Sequence, residues 1–374
     1  AVTDKAMLAG TEADVKAAVD GNGAGPLAQD ADMKAALATV DHDYVAFTAS
    51  RIRSLAESYA KLIAAQDPGV LDRTQVDETI LGMIPAWQAA TVRFEDDSLV
   101  SDTAQPKWTI GYDVKNETSD LLGHVPANAL AYVEGHDVGP VVTAVLAKFR
   151  ALPEAKPFFD QLDQGLSVLG GSDAVLGWWG DTAVVVAPGS DGTLGGGLLI
   201  HPRDAAAADR LLTTLRGFIA LGGSSAGVVS RDEDHAGTKI TVLDFSGMPN
   251  MSKLPAGYKA EIAFASNQDV TVLGYGRDFV ASVLDAGPGH SLADDARFKA
   301  LLGRVGGENM TSSFVDLTAI RKLIEPVAQG AVPSEKWAFY AKEIQPYLAP
   351  LDALVQSVRK DGDIDRGSSV LVVH

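Results

Sequence analysis

Residues 4–40 align without a gap onto residues 269–305, and 12 of the 37 columns are identical. The identities include Asp4/Asp269, Leu8/Leu273, Val15/Val280, Asp30/Asp295, Lys34/Lys299 and Val40/Val305. An alanine-rich chain yields a few such matches by chance, but not this many in one ungapped block. The match resumes at Ile52-Arg53 against Ile320-Arg321, at Pro85 against Pro350, and at Val92-Arg93 against Val358-Arg359. A segment used twice must bury the same face twice, so the pattern constrains the fold more than any single motif does.

The physical pattern of both copies agrees. Lys5–Ala9 and Val270–Tyr275 are short, apolar and strand-like. Thr11 with Asp14 has the spacing of a capping box, which starts a helix in the first copy. Val15, Ala18 and Val19 then share one face, as do Val280, Val283 and Leu284 in the second. After a Gly-rich turn, Met33, Leu37 and Val40 match Phe298, Leu302 and Val305 at i, i+4, i+7 spacing. The organisation expected is an incomplete first repeat over 1–115 and a complete second repeat over 116–374. Within the second, 116–268 is the front half and 269–374 the half related to 4–115. The strand at 4–9 is then expected to lack a neighbour that the strand at 269–275 possesses. An open apolar edge invites pairing, so a protein partner, a removed N-terminal half or the opposite lobe is expected to cover it.

Composition narrows the class. The 374 residues are 46% hydrophobic and 21% charged, which gives enough apolar surface to offset the entropy of ordering. Acidic residues outnumber basic ones 49 to 31, a net charge of −18. A field of that sign repels phosphate backbones and anionic lipid, so no nucleic-acid partner is expected. No apolar run of about 18 residues is present, so no transmembrane segment is expected in this chain. With no cysteine, disulfides, thiol catalysis, Fe–S clusters and Cys-based zinc sites are excluded. The start at Ala1 and the absence of cysteine favour an exported, extracytoplasmic protein.

The remaining periodicity predicts an α+β fold of mostly antiparallel sheet covered by helix pairs. Helices are predicted over 50–65, 73–84, 138–150, 156–168, 204–221 and 317–348. Strands are predicted at Trp87–Glu95 and Lys107–Val114, joined through Asp96-Asp97, and at Leu130–Glu134. Thr182–Ala187 with Leu194–His201 reads as a hairpin. Further strands are predicted at 226–231, 238–245, 259–266, 351–359 and 368–373.

Motifs that carry chemistry are weak. Gly223-Ser224-Ser225-Ala226-Gly227 matches G-x-S-x-G, but a helix precedes it and a strand follows, the reverse of a nucleophile elbow. Ser58-Tyr59-Ala60-Lys61 matches S-x-x-K without its companion motifs. Asp361, Asp363 and Asp365 open like an EF-hand loop, yet Arg366 stands where glycine is needed and Val372 where the bidentate Glu belongs. Asp232, Asp234 and His235, with Glu233, crowd one hairpin tip. These six residues (Asp361, Asp363, Asp365, Asp232, Asp234, His235) are the candidates for a cation, and solvated hairpin tips are the reading their spacing favours. None of the seven histidines has zinc-motif spacing. Gly195-Gly196-Gly197 leads into a strand and therefore cradles no phosphate at a helix N-terminus. Trp178 and Trp179 are expected to point to opposite faces, one into the core and one toward a contact, which makes them the interaction candidates. No residue is assigned a catalytic role, and no cofactor is expected.

The run Val125-Pro126-Ala127-Asn128-Ala129-Leu130-Ala131-Tyr132-Val133 resembles the "lPadtlaYv" opening of a bacterial family known as domain of unknown function 3352. Leu292-Ala293-Asp294, Phe298-Lys299-Ala300-Leu301 and Ser313-Phe314-Val315-Asp316-Leu317 resemble it too. The resemblance implies an extracytoplasmic protein, commonly tethered by an N-terminal transmembrane segment, with no assigned chemistry and no catalytic residues to carry over. The present sequence shows neither that anchor nor an upstream half. The function expected is therefore a non-enzymatic envelope or surface subunit that acts through protein contacts. The alternatives are a carrier of a lipid or other apolar ligand, marked by an apolar cavity, and a hydrolase with a non-local site, marked by shifted carboxylates in a cleft.

Overall fold

Strand residues alternate between the two faces of a sheet, so one buried and one partly open face appear as period-two patterns. The computed structural model describes residues 12–20, 29–40, 43–66, 74–189, 193–222, 227–248 and 259–374. In the first part the elements are α1 (Glu12–Asp20), α2 (Ala31–Thr39), β1 (Ala46–Ser50), α3 (Ile52–Gln66), α4 (Thr74–Met83), β2 (Gln88–Glu95) and β3 (Ser98–Pro106). The middle holds β4 (Ala131–Gly135), α5 (Val138–Arg150), α6 (Lys156–Leu166), α7 (Ser172–Leu176), β5 (Trp179–Pro188), β6 (Leu194–Pro202) and α8 (Ala205–Gly222). Then come β7 (Val229–His235), β8 (Thr238–Asp244), β9 (Glu261–Ser266), β10 (Thr271–Tyr275), α9 (Arg277–Asp285) and α10 (Ala296–Val305). The chain closes with β11 (Thr311–Asp316), α11 (Leu317–Ala331), α12 (Ser334–Phe339), α13 (Gln345–Leu348), β12 (Leu351–Asp361) and β13 (Ile364–Val373).

The protein is α+β. Among the described residues 13 strands form one sheet in the order β1-β2-β3-β13-β12-β11-β4-β5-β6-β10-β9-β8-β7. Each of these neighbouring pairs runs antiparallel. The main core lies on one face, where α9 and α10 bury Phe279, Val283, Phe298 and Leu301 against Tyr132, Val185, Val272 and Val355. Phe298 meets Tyr132 and Phe314 edge-on, at 6.3 and 5.2 Å between ring centroids. A smaller cluster places Ala36 of α2 against Ala89 and Ala104 on β2 and β3. A third places Ala208 of α8 with Trp178 and Ile200.

The two aligned segments pass through a similar order of elements, helix, helix, strand, helices, hairpin, with two helices before the first hairpin and three before the second. The aligned Asp30 and Asp295 both cap a helix, accepting from Met33 N at 3.1 Å and Phe298 N at 2.6 Å. That parallel of order does not by itself demonstrate a duplication. β3 pairs with β13, so the boundary drawn at 115 crosses a continuous sheet. The strand expected at 4–9 and the cap at Thr11 lie outside the described residues, as do Gly223–Ala226 of the G-x-S-x-G match.

Four expectations change. The strand expected at 226–231 is Val229–His235, so Asp232–His235 pair with β8 instead of forming a hairpin tip, and Ala236-Gly237, both at positive φ, make the turn. The second strand of the first hairpin is Ser98–Pro106 rather than Lys107–Val114: Asp96-Asp97 form the two-residue turn, and Pro106 closes the strand. The last strand starts at Ile364, because Gly362 (φ +65°) makes the hairpin turn directly after Asp361. Trp178 and Trp179 do not diverge. A register shift between Trp179 and Thr182 bends the strand start, and the two rings meet at 5.8 Å. The Gly195–Gly197 run is a packing surface. A Cβ on Gly197 would stand 2.3 Å from Leu273 O and 2.7 Å from the Phe279 ring, so glycine lets β6, β10 and α9 close together.

Candidate functional site

Where β4 leaves the sheet, the chain turns sharply at His136-Asp137 and enters α5. Asp137 adopts φ +51°, an uncommon left-handed conformation for a residue with a side chain. Two bonds hold it there: its N–H donates to Asp181 Oδ1 at 2.9 Å, and its Oδ2 accepts from the Tyr112 hydroxyl at 2.9 Å. The other Asp181 oxygen, Oδ2, lies 2.7 Å from His136 Nδ1. Asp181 reaches this position because it sits in the β5 register shift, where an irregular strand re-aims a side chain. His136 and Asp181 are both buried.

Their electrostatics follow from that geometry. Burial opposes a charged imidazole, but the Asp181 hydrogen bond and charge outweigh it and raise the His136 pKa above 6.5. Burial also opposes ionised Asp181, and His136 with the Asp137 N–H overcomes it, lowering Asp181 below 3.8. An ionised Asp181 accepts, so Nδ1 carries the proton and the tautomer of the ring is fixed.

Two residues back on β4, Glu134 is 1% exposed. Its Oε2 accepts from the Tyr132 hydroxyl, and its Oε1 has no hydrogen-bond partner. Loss of solvent pushes its pKa up to about 7, with Ser119 and His136 pulling the other way.

His136 also lines a cleft of about 420 Å³ with Trp108, Ile110, Tyr112, Val141, Met310 and Val358. The segment 107–114, released from the sheet after Pro106, supplies the aromatic wall. Trp108 is 46% exposed, an indole half open to the cleft rather than sealed in a core. At the rim Lys107 pairs with Asp363 at 2.7 Å, and Lys360 pairs with Asp113. Asp365 lies buried at the cleft floor with its pKa raised by desolvation.

Glu117, His136 and Asp181 offer ligand atoms within 4.8 Å of one another, the types and spacing that a cation needs. Both Asp181 oxygens, however, already serve His136 and Asp137, so the group reads as an oriented imidazole. Of the residues lining the cleft, only Tyr112 and Thr311 carry hydroxyls, and Tyr112 is committed to Asp137. The dyad therefore stands without an assembled nucleophile, although shifted carboxylates in a cleft were the mark set for a hydrolase.

The cation candidates disperse. Asp361 pairs with Arg366 and Asp363 with Lys107, while Asp365 turns into the cleft. Asp232 pairs with Lys239, Asp234 accepts from Gly237 N, and His235 Nε2 meets Asp285 Oδ1 at 2.6 Å. Trp178, 4% exposed, belongs to the core beside α8, and Trp179 packs on it. Trp178 thus presents no contact surface. Sequence reading passed over Glu134, His136 and Asp181. One signal was available: Glu134 shares the buried parity of Tyr132 within Ala131–Gly135, and an acid on a core-facing strand position requires a reason.

Fold and site define an α+β protein with a broad antiparallel sheet and an apolar cleft ending on a buried His–Asp pair. No family model matches the chain, and no curated protein matches it. Crystal form III of TP0453 is similar at 11% identity and a TM-score of 0.29, over 68% of this chain and 95% of that chain. Crystal form IV of TP0453 is similar at 12% identity and 0.29, over 70% and 94%. Likeness at that level carries neither fold nor function across. No described helix is long and apolar enough to cross a membrane.

Proposed function

We propose that this chain is a non-catalytic, extracytoplasmic binding protein whose cleft takes a small amphipathic ligand. One observation carries the reading: about 420 Å³ of space walled by Trp108, Ile110, Met310 and Val358 and closed by the oriented His136. That volume falls in the usual range for small-molecule sites, and an apolar wall with few fixed polar groups is their usual chemistry. The ligand's apolar body lies on the Trp108 wall, and its polar group faces His136 Nε2. Location outside the cytoplasm is part of the proposal, supported by the motif resemblance and the absence of cysteine. The uncharged fluorophore N-phenyl-1-naphthylamine is expected to bind saturably and to quench Trp108. Met310→Trp, which fills the cleft, is expected to weaken it at least ~10-fold, about 1.4 kcal/mol. Equal binding by both proteins would overturn the assignment.

A second reading, a subunit that acts through protein contacts, has its own observation. β1, at one end of the sheet, carries neither charge nor proline, whereas β7 at the other end carries Arg231, Asp232, Glu233, Asp234 and His235. Charge is how natural edges resist pairing. Two copies joined antiparallel along β1 form a self-complementary interface. Light scattering is expected to find a dimer at micromolar protein, and Thr48→Lys a monomer. A wild-type monomer at that concentration removes the reading.

A further inference from the structure

Val358 lines the His136 cleft, and its neighbour Arg359 points to the opposite sheet face, where a second cavity of about 410 Å³ lies. It opens where β3 meets β13, beside the C-terminal ends of α2 and α10. Four of the chain's 15 arginines line it, Arg93, Arg304, Arg359 and Arg366, against one lining carboxylate, Asp102. In a chain of net charge −18 that concentration of positive charge calls for a cause.

Internal pairing explains three of the four. Arg93 bonds Asp102 and Glu95. Arg304 reaches Glu95 at 2.6 Å and Asp97 at 3.3 Å. Arg366 takes Asp361 at 2.7 Å and donates to Thr39 O, in the last turn of α2, at 2.7 Å. Such a bond also offsets the negative end of the helix dipole. Arg359 is different. It is exposed, and no hydrogen bond or ion pair to it is found among the described residues. It also sits directly opposite Arg366 in the β12–β13 register. Like charges facing each other across two strands, about 5 Å apart at Cβ, are destabilising. Asp361 answers the Arg366 charge, and no carboxylate among the described residues answers that of Arg359.

We propose that the Arg359–Arg366 pair clasps the phosphoryl group of a small phosphorylated polyol. Guanidinium forks match phosphate oxygens bidentately, and a doubly charged anion between two arginines converts their repulsion into attraction. The cavity is larger than a free phosphate requires and lies within the range for small molecules. Its remaining wall, with Thr91, Thr103, the exposed Gly303 and a Ser368 hydroxyl that donates to Asp102, is small and polar and suits a hydroxyl-bearing body. The site does not depend on the ligand proposed for the His136 cleft, because it occupies the other sheet face.

Calorimetry on the intact chain with glucose 6-phosphate, inorganic phosphate and glucose tests the proposal. Glucose 6-phosphate is expected to bind at least ~10-fold tighter than phosphate, and glucose not at all. Arg359→Gln is expected to weaken the ester at least ~10-fold. Without ligand, Arg359→Gln is expected to melt no lower than wild type, since it removes a repulsion and no bond. Equal affinity for phosphate and ester overturns the polyol ester. Absence of saturable ester binding, or equal binding by Arg359→Gln, overturns the site. A lower melting temperature for ligand-free Arg359→Gln overturns the repulsion on which the site is argued.

Discussion

Glu134→Gln is expected to stabilise the protein by about 3 kcal/mol at pH 8 and by less than about 1 kcal/mol at pH 5. The reasoning starts from a carboxyl that is 1% exposed, with one oxygen held by Tyr132 and the other unpartnered. Burial favours its neutral form and moves its pKa from 4.5 to about 7. Each pH unit of that displacement corresponds to about 1.4 kcal/mol. The folded value is raised, so the contribution is fully present below pH 4.5 and is lost as pH rises through about 7. At pH 8 the wild type must hold a buried charge that glutamine does not carry, and glutamine still accepts from Tyr132. His136, also raised, loses its pair stabilisation in the same direction as pH climbs, so the wild-type slope alone cannot assign the effect. The difference between the two proteins isolates Glu134. Urea unfolding at both pH values measures it, and an equal difference at both would show that Glu134 is ionised throughout.

Local periodicity carried most of the fold. The helices at 31–39 and 296–305 follow from the apolar spacing of Met33, Leu37 and Val40 and of Phe298, Leu302 and Val305, and the structure adds the caps Asp30 and Asp295. The hairpin of β2 and β3 was legible in its turn but not in its second strand. Ser98–Pro106 has little apolar alternation of its own, and its strand is fixed by pairing with β13, a contact hundreds of residues away in sequence. Lys107–Val114 alternates like a strand because its aromatic residues face the cleft, so the same pattern served a different burial. The site was the least legible part. His136 and Asp181 are 45 residues apart and meet only because β4 pairs with β5 and the β5 register slips at that point. No spacing rule encodes a strand irregularity. The acidic clusters, by contrast, were visible at once, but Asp232–His235 lie within β7 rather than at its tip, where Ala236-Gly237 make the turn. Asp232, Asp363 and Asp361 pair with nearby lysines and an arginine.

The largest loss is expected from Asp181→Ala, about 3–5 kcal/mol, the usual result of removing one partner of a buried ion pair. Three consequences compound. His136 loses the carboxylate that holds its charge, Asp137 N–H loses its acceptor, and the left-handed turn at Asp137 loses one of its two restraints. The pH dependence separates charge from packing. In the wild type the imidazole pKa is raised, so the pair's contribution is whole below 6.5 and fades as pH rises through the folded value. Asp181, lowered below 3.8, sustains its part until strong acid. In the variant burial acts on His136 against only the weaker pull of Glu134 and Glu117, so its pKa falls, and acidification must then charge a buried ring that has lost its hydrogen-bonded carboxylate. The deficit of Asp181→Ala should therefore widen from pH 8 to pH 5. Asp181→Asn restores an acceptor for Asp137 N–H without the charge, so it should recover part of the loss at pH 8 and little at pH 5. Urea unfolding with NMR titration of the His136 ring tests both steps: a deficit constant with pH, or a ring still titrating above 6.5 in Asp181→Asn, would show that the carboxylate positions the turn without governing the imidazole.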